Sequence, residues 1–360
     1  MKRKSVYFCM SCRDTTEWYS FDVSEDDRKI TVPCICNCGC RCAKRIRHDT
    51  QGSPFLLPRA VLPHEDGWRP GWAILKNQLY RLGGTNTESF ERQSIKTVSC
   101  LDLTSNSNSN NGGDNDDIGR WRRKPRMLAR RGESQTVVVG GRLYVLGGHI
   151  DDYPWAEVYD PASKSWEALR RPPFAPRQSF HSAGLEDEDG KNGCILVLYV
   201  HAAVLLEYNV ANESWKKHKL APEVADLSDQ DVGGPAIAVG RVLYWFSPYT
   251  CCLYGLHLDT HVLYTSEVVV DVPRHGHGNP MLGHLEGHKF FLLHPNYDLV
   301  YGDDSSHPAP PLLDGSTTRF LHCLKFSISF IGGQRMSVSP ESSQSFVIKH
   351  ESSFLGCSVM

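Results

Sequence analysis

A chain of 360 residues with 40% hydrophobic, 22% charged and 10% aromatic side chains can bury a sizeable core, which excludes general disorder. A formal net charge of −2 provides no global field to recruit nucleic acid or an anionic membrane. No apolar run reaches the length of a membrane span, and Met1-Lys2-Arg3-Lys4-Ser5 leads into too few apolar residues for a signal peptide. The expectation is a soluble chain in the cytoplasm or nucleus. The 13 cysteines, odd in number and unevenly spread, fit reduced thiols better than a disulfide framework.

Strand-like runs begin at Val6-Tyr7-Phe8 and Trp18 to Val23. Cys9-Met10-Ser11-Cys12 places two thiols at zinc-ligand spacing, and Cys34, Cys36, Cys38, Cys40 and Cys42 alternate further on. Because alternating thiols on an extended strand fall on one side, they do not build a tetrahedron by themselves. The segment 34–50 therefore reads as an insert, with zinc or copper(I) binding as its alternative, and no metal site is expected. The basic clusters Lys2-Arg3-Lys4 and Lys44-Arg45-Ile46-Arg47 read as solvated surface, with nuclear targeting as the other reading.

The main regularity follows. Leu79-Tyr80-Arg81-Leu82-Gly83-Gly84 recurs as Leu143-Tyr144-Val145-Leu146-Gly147-Gly148. After these runs come second strand-like segments ending at a turn: Val98 to Leu103, Val158-Tyr159-Asp160-Pro161, Leu206-Glu207-Tyr208-Asn209 and Leu256-His257-Leu258-Asp259. Beyond the first three turns stand Trp121, Trp166 and Trp215, 45 and 49 residues apart. Upstream apolar runs such as Thr136-Val137-Val138-Val139 supply a further strand, so each unit holds four. Units centre near Tyr80, Tyr144, Leu198, Tyr244 and Phe291, and the N-terminal strands add one more. Ser345-Phe346-Val347-Ile348 is expected to complete that N-terminal set and close a ring, with residues 351–360 as a tail. Residues 105–119, rich in Ser, Asn, Gly and Asp, read as a disordered loop.

The order of apolar run, glycine pair, Tyr159-Asp160-Pro161 and Trp166 resembles the kelch repeat. The resemblance is strong from Gly71 to Trp215, weaker from Ala236 to Leu293, and inferential at both ends. Leu198-Tyr199-Val200, Trp245-Phe246-Ser247 and Leu293-His294-Pro295 stand where glycine pairs would fall. It implies an all-β fold: one kelch-type β-propeller over residues 1–350, of about six four-stranded blades, with five or seven left open. In that reading Gly83, Gly84, Gly147, Gly148, Tyr159, Asp160, Trp121, Trp166 and Trp215 are structural. The chain is also similar to plant F-box/kelch proteins, including at His322-Cys323-Leu324-Lys325-Phe326. Those proteins select substrates for ubiquitin ligases, but the first 50 residues show no helical periodicity for an F-box.

The resemblance sorts the loops by face, placing 85–96, 149–155, 172–178, 217–233, 271–279 and 295–319 together. Long loops over a rigid framework carry function, and aromatic and basic residues anchor interfaces. His149, Tyr153, Trp155, Arg177, His181, Tyr249, His275 and His277 are thus the candidate contacts for an unidentified protein partner, bound by a monomer without cofactor. The sequence contains no nucleophile elbow, phosphate loop or H-E-x-x-H. A metal-dependent enzyme or specifier on the same framework is the alternative. His275, His277 and His294 suggest its metal site, although the copper ligands of galactose oxidase find no counterpart.

Overall fold

The computed structural model describes residues 4–12, 15–23, 60–63, 70–86, 93–103, 121–148, 153–176, 179–187, 190, 193–227, 234–269, 280–296, 319–348 and 352–359. It is almost entirely β, in four-stranded antiparallel sets of the kelch-propeller kind. Two compact units are distinguished: residues 63–243, and residues 1–62 together with 244–360.

The 63–243 unit holds three successive sheets. Gly71–Leu75, Gln78–Leu82, Val98–Asp102 and Arg122–Lys124 make the first, Gln135–Val139, Arg142–Leu146, Ala156–Asp160 and Ser165–Ala168 the second. His181–Glu186, Gly193–Tyr199, Val204–Asn209 and Ser214–Lys219 make the third, to which Gly234–Pro235 adds a short parallel strand on His181 and Ser182. Apolar side chains on facing sheets fill the space between them: Tyr80, Leu82 and Val98 meet Leu143, Val145 and Tyr159, and Tyr144 and Leu146 meet Val197 and Leu206. Sheets this short keep both faces from water by stacking.

The turns follow from backbone requirements. Gly140-Gly141 joins its two strands in two residues, with φ of 58° and 69° and Val139 opposite Arg142, the geometry of a hairpin that continues the strand twist. The corners before the outer strands repeat in detail. Asp160 Oδ1 accepts Ala162 N at 2.7 Å and Asn209 Oδ1 accepts Ala211 N at 3.0 Å. At the next corner His257 Nδ1 accepts Asp259 N at 3.3 Å. Lys164, Glu213 and His261 each take a positive φ four residues beyond the side chain that makes the turn.

In the other unit, Lys4–Cys12 and Thr15–Val23 pair from Lys4 opposite Val23 to Cys12 opposite Thr15, with Ala60–Pro63 beyond them. The expected closure between the chain's two ends exists, but its strand is Ser352–Val359, which runs antiparallel to Lys4–Cys12. Ser345 to Ile348 instead extend the strand Arg335–Ile348, paired with Arg319–Phe330 from Phe330 opposite Met336 to Arg319 opposite Ile348. That long hairpin gives Phe346 a place against Phe21, with ring centroids 4.6 Å apart. Met281–Glu286 and Lys289–Asn296 complete its sheet. Cys252–His257 pairs antiparallel with Leu263–Val268, and Leu263–Val268 also runs parallel to the start of Arg335–Ile348, Thr265 opposite Arg335 and Ser266 opposite Met336, so that these strands belong to the same sheet.

Where the first two sheets of the 63–243 unit meet, a buried ion pair governs the joint. Arg131 Nε donates to Glu157 Oε1 at 2.8 Å, and neither side chain touches solvent. The guanidinium also donates to Gly147 O and Trp155 O, both at 2.8 Å, and to Pro154 O at 2.5 Å. Glu157 accepts Leu128 N at 2.6 Å and Ala129 N at 3.3 Å. Burial pushes Arg131 below its ordinary value, and the Glu157 carboxylate opposes that shift. The glycine pair closes the same joint. Gly84 N donates to Arg131 O at 2.8 Å, Gly83 holds φ at 62°, and a Cβ on Gly83 would stand 2.3 Å from Arg131 O.

Glu157→Gln should lower stability by about 3 kcal/mol or more, because Arg131 keeps its buried charge without a counter-ion; chemical denaturation measures it. Gly83→Ala should cost more than Gly141→Ala. The latter position has open space and loses only about 1 kcal/mol to its positive φ, whereas the former adds a backbone clash. Equal melting temperatures for the two variants would contradict this account of the joint.

Candidate interaction surface

The same ion pair positions the loop that follows the second glycine pair. Arg131 holds Gly147 O on one side and Pro154 O and Trp155 O on the other. Tyr153 projects from that clamped segment and is 66% exposed. The next residue but one does the opposite. Trp155 is buried at 9%, its Nε1 donates to Pro176 O at 3.0 Å, and its ring packs on Phe180 and Trp215 at 5.7 and 6.0 Å. The expectation that Trp155 contacts a partner is therefore corrected: the indole joins the segment at 153–155 to the one at 172–176 and has no free face. His181 is corrected likewise. It lies in an inner strand, 3% exposed, with Nδ1 3.2 Å from Gly234 O.

A second group of side chains stands on the 172–176 segment and the third sheet. Phe174 lies 5.2 Å from Tyr199, and Tyr199 lies 5.6 Å from His201. Lys217 places its Nζ 5.5 Å above the Phe174 ring, within reach of the ring's negative face. Phe174 and Tyr199 are half-buried, and His201 and Lys217 are exposed. A short helical turn at Val200–Ala202, ended by Ala203 at φ 48°, carries Tyr199 and His201 outward. Aromatic faces beside a cation, over a framework already ordered, are suited to gripping another protein's side chains.

Sequence reasoning missed Phe174, Tyr199, His201 and Lys217 as a group. The available signal was the departure at Leu198-Tyr199-Val200, where the glycine pair is replaced by an aromatic that must go somewhere. In the other unit Tyr249 is 48% exposed, in the turn before Cys252–His257. His149, Arg177, His275 and His277 lie outside the described residues, as do the Cys34 to Cys42 cluster and residues 105–119. Cys9 and Cys12 belong to the paired strand Lys4–Cys12. Among the described residues no three His, Cys, Asp or Glu side chains gather to hold a metal ion, and no helix is long and apolar enough to cross a membrane.

The tyrosines and tryptophans of the repeats pack together. Tyr159 packs on Trp166 at 5.2 Å and Tyr208 on Trp215 at 4.9 Å. Trp166 Nε1 donates to Pro125 O at 2.9 Å, and Trp215 Nε1 to Arg170 O at 2.8 Å. Trp121 packs edge-on against Trp72 at 6.2 Å. Gly148 holds φ at 93°, and a Cβ there would stand 2.6 Å from Gly132 O. Titratable groups shift toward their neutral, unreactive forms. Burial first raises the Cys194 thiol to about 11, with Glu207 adding and Arg241 opposing. Burial also raises Cys100 and Cys252.

Repeated four-stranded sheets with glycine-pair joints and tryptophan-capped outer strands define a kelch-type β protein. A family model for the kelch motif matches residues 130–173, the stretch that contains Arg131, Gly147, Gly148 and Glu157. Relatives carry the same name. The chain is 36% identical over 104 residues to an F-box/kelch-repeat protein of Arabidopsis thaliana, covering 27% of this chain and 23% of that one. It is 29% identical over 227 residues to a second such protein from the same plant, covering 59% and 47%. A third is 44% identical over 64 residues, 17% of each chain. The chain thus spans less than half the length of each of these relatives. It carries a kelch motif at residues 130–173 and is similar to plant F-box/kelch-repeat proteins.

Burial raises Tyr208 and Tyr244 to about 12, with Glu213 and Tyr144 adding at Tyr208 and Tyr264 at Tyr244. Above the ordinary value of 10, the unfolded chain releases phenol protons that the folded one retains. Stability is therefore complete below pH ~10 and falls as pH rises toward ~12. Tyrosinate absorbance from these two residues should appear together with loss of the circular dichroism signal, and Tyr208→Phe should move that loss to higher pH.

Proposed function

We propose that this chain is a non-catalytic scaffold for protein binding, a single kelch propeller acting as a monomer in the cytoplasm or nucleus. Its loop surface around Tyr153 and Phe174 selects a protein partner for ubiquitination. The observation that carries the reading is the contrast between Tyr153 and Trp155. One residue is clamped in place yet exposed, and its near neighbour is spent on packing the clamp, as expected of a surface preorganised for recognition. The similarity to F-box/kelch-repeat proteins supports the ubiquitination role.

Replacing Tyr153 and Phe174 by alanine together tests the surface. The melting temperature should change little for Tyr153→Ala and modestly for the half-buried Phe174. Proteins cross-linked to the wild-type chain in a cell extract should be lost selectively from the double variant, since an anchor of this kind contributes about 2 kcal/mol, roughly thirtyfold in affinity. An unchanged set of partners on a folded variant would place recognition elsewhere. A wild-type chain that never co-purifies with a ubiquitin ligase, and does not alter its partners' ubiquitination, would remove the ubiquitination role and leave the binding surface standing.

A further inference from the structure

With 39 Lys and Arg against 41 Asp and Glu, this chain is nearly neutral, and an unsegregated surface would mix the two signs. The outer strands of the 63–243 unit do not mix them. Arg122, Arg123 and Arg126 are exposed at the first, Arg170 and Arg171 just beyond the second, and Lys216, Lys217 and Lys219 on the third. Glu167 is the single acidic residue within those segments. Two hydrogen bonds make the segments neighbours. Trp166 Nε1 reaches Pro125 O, between Lys124 and Arg126, and Trp215 Nε1 reaches Arg170 O. Each outer strand is thereby stapled to the basic segment leaving the preceding sheet, and Arg170 and Arg171 adjoin the face of the third outer strand that carries Trp215, Lys217 and Lys219.

Charged side chains on an edge strand also deter association of sheets edge to edge. That role accounts for Arg122 and Arg123 and for the lysines, which lie on the strands themselves. It does not account for Arg126, Arg170 and Arg171, which lie off the strands and guard no edge. The strand Ser214–Lys219 ends its sheet, so among the described residues its outward backbone groups face no further strand. We propose that these basic residues dock an acidic segment of a partner polypeptide, which lies along Ser214–Lys219 as an added strand with its carboxylates on the face that carries Lys217 and Lys219, beside Arg170 and Arg171. A nucleic acid would supply negative charge but no amides for the edge, and strand addition draws its affinity from main-chain hydrogen bonds.

The test uses a fluorescent synthetic peptide alternating glutamate with threonine. Companion probes are the same peptide with glutamine for glutamate, one of equal charge interrupted by prolines, and a single-stranded oligonucleotide of equal charge. The acidic peptide should bind the full chain and weaken as salt rises from about 50 to about 300 mM. Lys217→Glu with Lys219→Glu, and separately Arg170→Glu with Arg171→Glu, should weaken it at least about tenfold, while Lys289→Glu leaves it unchanged. The glutamine and proline peptides should bind several-fold more weakly or not at all. Thermal melts establish that each variant is folded, and Lys217→Gln with Lys219→Gln, giving a smaller loss, serves should charge reversal unfold the sheet. No binding of the acidic peptide, indifference to both charge reversals, equal binding of the proline peptide, or equal or tighter binding of the oligonucleotide would overturn the proposal.

Discussion

Two opposite charges sealed from water are costly to hold, and the 63–243 unit is arranged around keeping one such pair satisfied. Taking a carboxylate and a guanidinium out of solvent costs several kcal/mol per ion even after relaxation. Arg131 meets that cost with one carboxylate and three backbone carbonyls, and Glu157 with the guanidinium and two backbone amides. These partners come from the segment entering the sheet, the glycine pair, the loop before the third strand and the third strand itself. A shift in any of them strands a charge, so the pair selects one arrangement among the many that apolar packing alone would tolerate. Its consequence for function is local: the loop bearing Tyr153 is held by both of its ends.

The glycine pairs and tryptophans extend the same logic along the chain. Gly83 lets the backbone of one sheet approach Arg131 O of the next, and Gly148 does so at Gly132 O. Trp166 and Trp215 each reach back to a carbonyl of the preceding sheet's outgoing segment. The third sheet breaks the pattern. Tyr199 and Val200 stand where glycines would, and the chain turns through a short helical segment that ends on Ala203 in the left-handed region. That substitution gives up a tight joint and gains a half-exposed aromatic beside Phe174. A lapse in the repeat is thereby the source of part of the candidate surface.

What could be read in advance was whatever repeats. The glycine pairs, the Tyr-Asp and Tyr-Asn corners and the tryptophan spacing marked the sheets from Gly71 to Lys219, because each answers a backbone or packing demand that recurs. Closure of the N-terminal set was legible in kind but assigned to Ser345–Ile348 instead of Ser352–Val359. Both segments are strand-like, and only the length of the Arg319–Phe330 partner, which consumes the former, tells them apart. Arg131, beside Arg130, and Glu157, between Ala156 and Val158, were invisible because a charged residue reads as a surface position until its opposite number is known. Trp155 misled for a related reason: an aromatic in a long loop looks like an anchor for a partner, and nothing local says that Pro176 and Phe180 already hold it.

Net charge misleads in the same manner as local composition. A value of −2 removes any long-range pull on polyanions, but the interactions that matter at a docking surface act within about 10 Å, the distance over which salt leaves charges visible. At that range the alignment of three outer strands matters more than the sum over the chain. Lys217 shows how the two surfaces of the 63–243 unit meet: it lies on the basic outer strand, and its ammonium sits over Phe174 in the aromatic group. The cation is held near the ring by the strand's position. It therefore remains available to a partner's acidic group while its stem covers apolar area. The ordering of these side chains is complete once the sheets have stacked, so a partner meets a surface whose conformational entropy has already been lost in folding.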